Sequence, residues 1–327
     1  MLKRKIKILS LMITIIISGF LMLSVSYAWY TNNREVEVNN IRVKARVSEN
    51  ILISTDSIKW RSAITLDDII NANYIEERKN QIPVNFQAYS SAGELETGLL
   101  KMFSGLVIMD KNPSNRNYQK LVLTSTRETE QDGFNGGFLT FDLYFKSGST
   151  RPIYLGKKSY AKYINEKSGI ENALRIAFIN EGNILDENDY KSIQSLKTDD
   201  NANVIIWEPN YDQHTEEAIK NAYDTYGINV TNDFKKLDYY GINNEINNPV
   251  LLTDTNGEYF TLMDKTIGTK KNYKEQSINE FLFTLSQGIT KIRVYVWVEG
   301  QDIDCENSTA GTDFEFNINF TTKVEES

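Results

Sequence analysis

Apolar and polar residues alternate along much of this chain with a period of two, the spacing that puts every second side chain on one face of a strand. Between Glu35 and Val47, Val36 and Val38, then Ile41, Val43, Ala45 and Val47, stand among polar or charged neighbours, with a change of parity at Asn39-Asn40 that predicts a bulge or a break. Short strands are predicted at Ile51 to Ser54, Leu121 to Thr124, Leu174 to Phe178 and Val204 to Trp207. In Phe138 to Lys146, Leu139, Phe141, Leu143 and Phe145 take one face and Thr140, Asp142 and Tyr144 the other. The clearest pair is C-terminal: Ile292, Val294, Val296 and Val298, then Phe314, Phe316, Ile318 and Phe320, each set interleaved with polar or aromatic residues. Two such strands separated by a loop are predicted to pair as antiparallel neighbours.

Helical spacing is confined to two stretches. Leu66 to Lys79 follows Thr65, a capping residue, with Asp67 and Asp68 suited to the helix dipole, and Thr215 to Tyr226 opens with Glu216 and Glu217 and closes at Gly227. Many strands, few helices and no βαβ rhythm predict an all-β, jelly-roll-like β-sandwich with helical insertions. No repeat and no Pro-rich or Gly/Ser-rich linker divides residues 29–327, which read as one domain.

The first residues break the pattern and decide where the rest resides. Lys3, Arg4, Lys5 and Lys7 precede an uncharged run from Ile8 to Tyr30, and about 20 apolar residues suffice to cross a membrane with the basic flank inside. Residues 1–28 are therefore read as a membrane-spanning signal or anchor helix. Ser26 and Ala28 offer the small residues a signal peptidase reads, so that cutting would leave Trp29 as the new N-terminus; retention as an anchor is the other reading. Both place the domain outside the cytoplasm, secreted or on the extracellular face of the cell membrane.

Composition narrows the chemistry. The formal charge of −8 becomes −12 once the four leading basic residues are removed, which argues against nucleic acid as a partner. One cysteine, Cys305, forms no internal disulfide. One histidine, His214, read as a cap or surface residue ahead of the second helix, leaves little room for histidine chemistry. Zinc-protease, α/β-hydrolase, P-loop and Cys-x-x-Cys motifs are absent. No cofactor and no metal site are expected, and no catalytic residue is assigned.

Three weaker features stay open. Glu299 and Glu315 could flank a sugar if their strands were neighbours, at the roughly 5–10 Å a glycosidase needs, although polar-face decoration explains both. Asp302, Asp304, Glu306 and Asn307 gather calcium-type oxygens in a loop whose residues also suit ordinary turns. Tyr295 and Trp297 share a face with Lys291 and Arg293, as a glycan-stacking platform or as core.

The junction SYAWYTNNREVEVNNIRV resembles exported Gram-positive proteins whose signal segment ends in an Ala-Trp-Phe/Tyr-Thr motif and is cut by a SipW-type peptidase, the style of the TasA/camelysin biofilm-matrix family. GGFLTFDLYFKS, SGIENALRIAFI and KIRVYVWVEGQDIDC are similar to segments of clostridial proteins sharing this N-terminus. The resemblance implies an extracellular matrix or cell-surface protein with a jelly-roll body, Ala28 as the last signal residue, Trp29 and Tyr30 as the motif aromatics, and Glu35 to Val47 as the first mature strand. The metalloprotease activity of camelysin does not transfer, because no metal-ligand motif is present. A first strand of this kind is a candidate donor to the open sheet edge of another copy, a head-to-tail addition that yields filaments. The rival expectation is a membrane-anchored carbohydrate-binding module or glycan-active enzyme.

Overall fold

The computed structural model describes residues 41–48, 51–74, 79–109, 121–164, 169–185, 189–226, 240–251, 257–263, 267–269, 280–305 and 313–322. The predicted leader, residues 1–28, the predicted processing residues Ser26, Ala28 and Trp29, and the candidate donor positions Val36 and Val38 lie outside the described residues. Among the described residues no helix is long and apolar enough to cross a membrane.

Two sheets enclose the main core. The first contains β1 (Ile41–Val47), β3 (Ala63–Thr65), β10 (Arg151–Leu155), β11 (Tyr160–Tyr163), β18 (Glu280–Leu285) and β20 (Phe314–Thr321), in the order β18-β10-β20-β1-β3 with β11 also on β20. The second contains β2 (Ile51–Ser54), β4 (Ala88–Ser90), β7 (Met102–Met109), β8 (Leu121–Glu128), β9 (Leu139–Ser147), β12 (Leu174–Ile184), β13 (Val204–Pro209), β15 (Ile246–Leu251), β17 (Ile267–Thr269) and β19 (Gly288–Glu299). Two small ribbons pair β5 (Leu95–Glu96) with β6 (Leu99–Leu100) and β14 (Tyr240–Ile242) with β16 (Phe260–Leu262). Short helices α1 (Leu66–Ile70), α2 (Ile170–Ala173), α3 (Tyr190–Gln194) and α4 (Glu216–Tyr226) occupy connections.

The axis of the second sheet is β19, antiparallel to β9 on one side and to β12 on the other, with Val298 and Glu299 continuing onto β4 in parallel. The predicted apolar faces meet in one cluster: Leu139 to Phe145 at alternate positions of β9, Leu174, Ile176 and Phe178 of β12, Ile292 to Val298 of β19 and Phe314 to Phe320 of β20. Phe320 lies in its midst, with ring centroids 5.0 Å from Phe145, 6.0 Å from Phe178 and 6.2 Å from Phe283.

The antiparallel pairing predicted for the two C-terminal strands is overturned. β19 and β20 belong to opposite sheets, and β20 pairs with β1 in parallel, from Ile41 opposite Phe314 to Val47 opposite Phe320, and with β10 and β11 antiparallel. Alternation specifies which face is apolar, and two strands satisfy it equally well side by side or across the core. β1 also pairs with β3, so that it lies inside the sheet with Val43 and Ala45 buried in the main core.

The first helix is shorter than predicted. It runs from Leu66 to Ile70, with the Thr65 N–H donating to Asp68 Oδ2 at 3.0 Å. At its end the Asn71 N–H and Nδ2 both donate to the Asp67 carbonyl, and Asn80 Nδ2 donates to the Ile69 carbonyl, an acceptor that a longer helix would have used. The second helix falls where predicted, and Thr215 caps it by accepting the Ala218 N–H at 3.1 Å.

Candidate functional site

The two carboxylates that could have flanked a sugar are on different sheets. Glu299 ends β19 fully buried, accepting from Trp297 Nε1 at 3.0 Å and from the Gln301 N–H at 3.1 Å. Burial pushes its pKa up, against the hydrogen bonds from Ser90 and Trp297. Glu315 lies on β20 and ties it to β11, with Lys162 Nζ at 2.8 Å and the Tyr160 hydroxyl donating at 2.9 Å. Tyr295 and Trp297 are also fully buried, so they are core and present no glycan platform.

Glu315 supports a pH prediction. Burial acts to raise its pKa, but Lys162 and Tyr160 outweigh it and hold the carboxyl below its ordinary value. A depressed pKa contributes stability above the unfolded value, which is lost as pH falls through the folded value. Glu315→Gln is therefore expected to cost roughly 0.5–1 kcal/mol near neutrality, because Lys162 is largely exposed, and to cost nothing at a pH below both values. Urea unfolding at neutral and strongly acidic pH checks this.

His214 is less superficial than the sequence suggests. It precedes α4 with its side chain 6% exposed and places Nδ1 2.6 Å from Asp304 Oδ2. Asp304 Oδ1 accepts the Thr215 N–H at 2.8 Å, Asp302 Oδ1 accepts the Asp304 N–H at 2.9 Å, and Arg175 Nη2 reaches Asp302 Oδ2 at 2.7 Å and Glu208 Oε1 at 2.9 Å. Burial pushes the Asp304 carboxyl up, the His214 hydrogen bond opposes it, and Asp302 adds to the rise. Among the described residues, His214, Asp302 and Asp304 form the set that could hold a metal, their ligand atoms lying within 4.8 Å of one another. Yet all four carboxylate oxygens already have protein partners, so the arrangement as it stands pins the loop after β19 to the start of α4. Asp302 and Asp304 thus serve turn and docking roles, while Glu306 and Asn307 lie outside the described residues.

The densest chemistry is on the side of β19 that faces away from the main core. Lys291 and Arg293 of β19, Asp142 of β9 and Glu181 of β12 are all buried. Arg293 Nη1 contacts Asp142 Oδ1 at 2.9 Å and its Nη2 contacts Glu130 Oε2 at 2.6 Å. Glu130 also accepts from the Tyr295 hydroxyl. Burial works against the Arg293 charge, but Glu130 and Asp142 overcome it and raise the guanidinium pKa further. Lys291 Nζ lies 2.9 Å from Glu181 Oε2 and 3.3 Å from Asp142 Oδ2, and it donates to the carbonyls of Gln194 and Leu196 at 2.7 and 3.0 Å.

From the sequence, Asp142 falls on the face opposite the apolar positions of its strand and Lys291 and Arg293 share the face of Tyr295 and Trp297, read as platform or core, while Glu181 was not singled out. The signal that could have found them is that charges alternate with apolar residues in the longest apolar strand of the chain, one flanked by strands on both sides and needing cover on both faces. Compared with known protein families, curated proteins and solved structures, the chain matches none.

Proposed function

We propose that this chain is an exported structural protein of the cell surface or biofilm matrix, without catalytic activity, that polymerises by passing β1 from one copy to the next. The observation that supports the reading is the position of β1: a strand next to the N-terminal segment that is nonetheless internal to its sheet. Seven residue pairs join it to β20 and three to β3, and its Val43 and Ala45 fill core positions. If β1 left, it would open the β20 edge and vacate those positions, which the same residues of another copy fit equally well. In that reading the leader of residues 1–28 directs export, and a signal peptidase cutting between Ala28 and Trp29 frees the strand to exchange. Before processing, the membrane holds the chain through that leader.

The jelly-roll reading is supported by the way the C-terminal strands β18, β19 and β20 step from one sheet to the other and back. The glycan-binding and glycan-cleaving alternative loses its residues, since Tyr295 and Trp297 are buried and Glu299 and Glu315 are apart.

The test uses the processed chain, the same chain lacking residues 34–47, and a synthetic peptide of residues 34–47. Filaments are expected from the processed chain by electron microscopy and sedimentation. The deleted chain should form none, should melt higher when the peptide is added, and the peptide in excess should shorten wild-type filaments. Polymers of unchanged length in the deleted chain would falsify the exchange mechanism.

A further inference from the structure

We propose that Lys291 and Asp142 are joined by an intramolecular isopeptide bond, formed autocatalytically with Glu181 as the proton carrier. The geometry is that of a reaction already assembled. β9 and β19 are antiparallel neighbours in which Arg293 stands opposite Asp142 and Lys291 opposite Tyr144, so Lys291 and Asp142 are diagonal neighbours on one face. Lys291 Nζ lies 3.3 Å from Asp142 Oδ2 and 2.9 Å from Glu181 Oε2, with side-chain exposures of 0%, 1% and 0%. The carbonyls of Gln194 and Leu196 hold the ammonium in place, while Arg293 holds Asp142 Oδ1. Holding two reacting groups at such range replaces a bimolecular encounter, an advantage reaching effective molarities of about 10⁵–10⁸ M in well-oriented systems.

The atoms balance without any co-reactant. The Lys291 ammonium gives one proton to the Glu181 carboxylate, which passes it to Asp142 Oδ2, and the resulting amine attacks Cγ of the neutral acid, forming the Nζ–Cγ bond. Negative charge developing on Oδ1 is met by the Arg293 guanidinium, the role of an oxyanion-stabilising donor. Oδ2, already carrying one proton, then leaves as water with a second proton relayed from the nitrogen through Glu181. An ammonium and a carboxylate become a neutral amide and one water, and Glu181 returns to its starting state.

Burial supplies the driving force. An ion pair enclosed in protein bears the desolvation cost of two charges, whereas an amide bears none of that charge penalty. Exclusion of bulk water also disfavours the reverse hydrolysis. The consequence is a covalent tie between the adjacent strands β9 and β19 in a chain with one cysteine and hence no internal disulfide.

The experiment is the intact mass of the full chain in denaturant, compared with the sequence from its measured N-terminus, followed by tandem mass spectrometry of a proteolytic digest. The expected result is a chain lighter by one water, with a branched peptide linking Lys291 to Asp142. A wild-type chain at full mass, or a missing water located at any other residue, overturns the proposal. Lys291→Arg should show the full mass of its own sequence. Glu181→Gln, with folding checked by near-ultraviolet circular dichroism and Glu181→Asp as the second variant if it does not fold, should close at least tenfold more slowly. Closure at the wild-type rate in a folded Glu181→Gln chain would overturn the role of Glu181.

Discussion

Phe320→Ala is expected to lower the free energy of unfolding by about 4 kcal/mol, within the range of roughly 3–5 kcal/mol for removing a fully buried aromatic ring. The ring is 1% exposed and packs against Phe145 from β9, Phe178 from β12 and Phe283 from β18. Those neighbours come from both sheets, so the cavity is bounded by backbones that cannot collapse without separating from their own hydrogen-bonded partners. Domains have only about 5–15 kcal/mol in total, so the variant should unfold at much lower urea concentration. Phe320 also stands opposite Val47 in the parallel pairing with β1. Its loss should therefore loosen the seat of that strand, and in the polymerisation reading the variant should exchange β1 faster while making weaker filaments. A loss below about 1 kcal/mol would mean that the two sheets repack freely around this position.

Arg293→Met should cost about as much, roughly 3–5 kcal/mol, by a different route. Methionine fills most of the volume, so the cavity component is small. What remains are Glu130 and Asp142, brought to the same guanidinium at 2.6 and 2.9 Å; without the Arg293 donor that promotes amide formation Asp142 stays a carboxylate, held by Lys291 at 3.3 Å, while Glu130 loses the Arg293 charge. Removing one partner of a buried charge cluster costs more than the cluster contributes net, because the groups left behind have lost their solvation as well as their counterion. Adding Glu130→Gln to Arg293→Met removes one of those charges and leaves Lys291 and Asp142 untouched. Equilibrium urea unfolding of the single and double variants should show the double regaining about half of the loss; no recovery would mean that the shape of arginine, not its charge, is what the site requires.

The strand faces were legible because alternation is a local property that survives any choice of partner. Leu139 to Phe145, Ile292 to Val298 and Phe314 to Phe320 could be assigned to an apolar face from spacing alone, and each set lies in the main core. Thr215 to Tyr226 was legible for the same reason, since its cap and its first-turn carboxylates act within one turn of helix. The other side of these strands was not legible. Asp142, Lys291 and Arg293 carry the residue types of a solvated face, and whether such a face is wet depends on what covers it. Here Glu130, the 194–196 segment and Asn80, distant in the chain, do so. Sites were harder still: His214 meets Asp304 across 90 positions, and no spacing rule spans such a distance.

By itself, then, the sequence determined the strands with clear alternation, β1, β2, β8, β9, β12, β13, β19 and β20, which of their faces is apolar, an all-β class and a net acidic body, whereas β3, β7, β10, β11 and β18 were not predicted. Pairing was decided by the tertiary structure: β20 beside β1 in place of β19, β1 internal to its sheet, and three acidic side chains, Asp142, Glu181 and Glu130, gathered around Lys291 and Arg293. The physical reason is one of range. Periodicity and capping are set by backbone geometry over a few residues, whereas the choice of neighbour is a competition among all strands of similar pattern, settled by the shape of the core they jointly enclose.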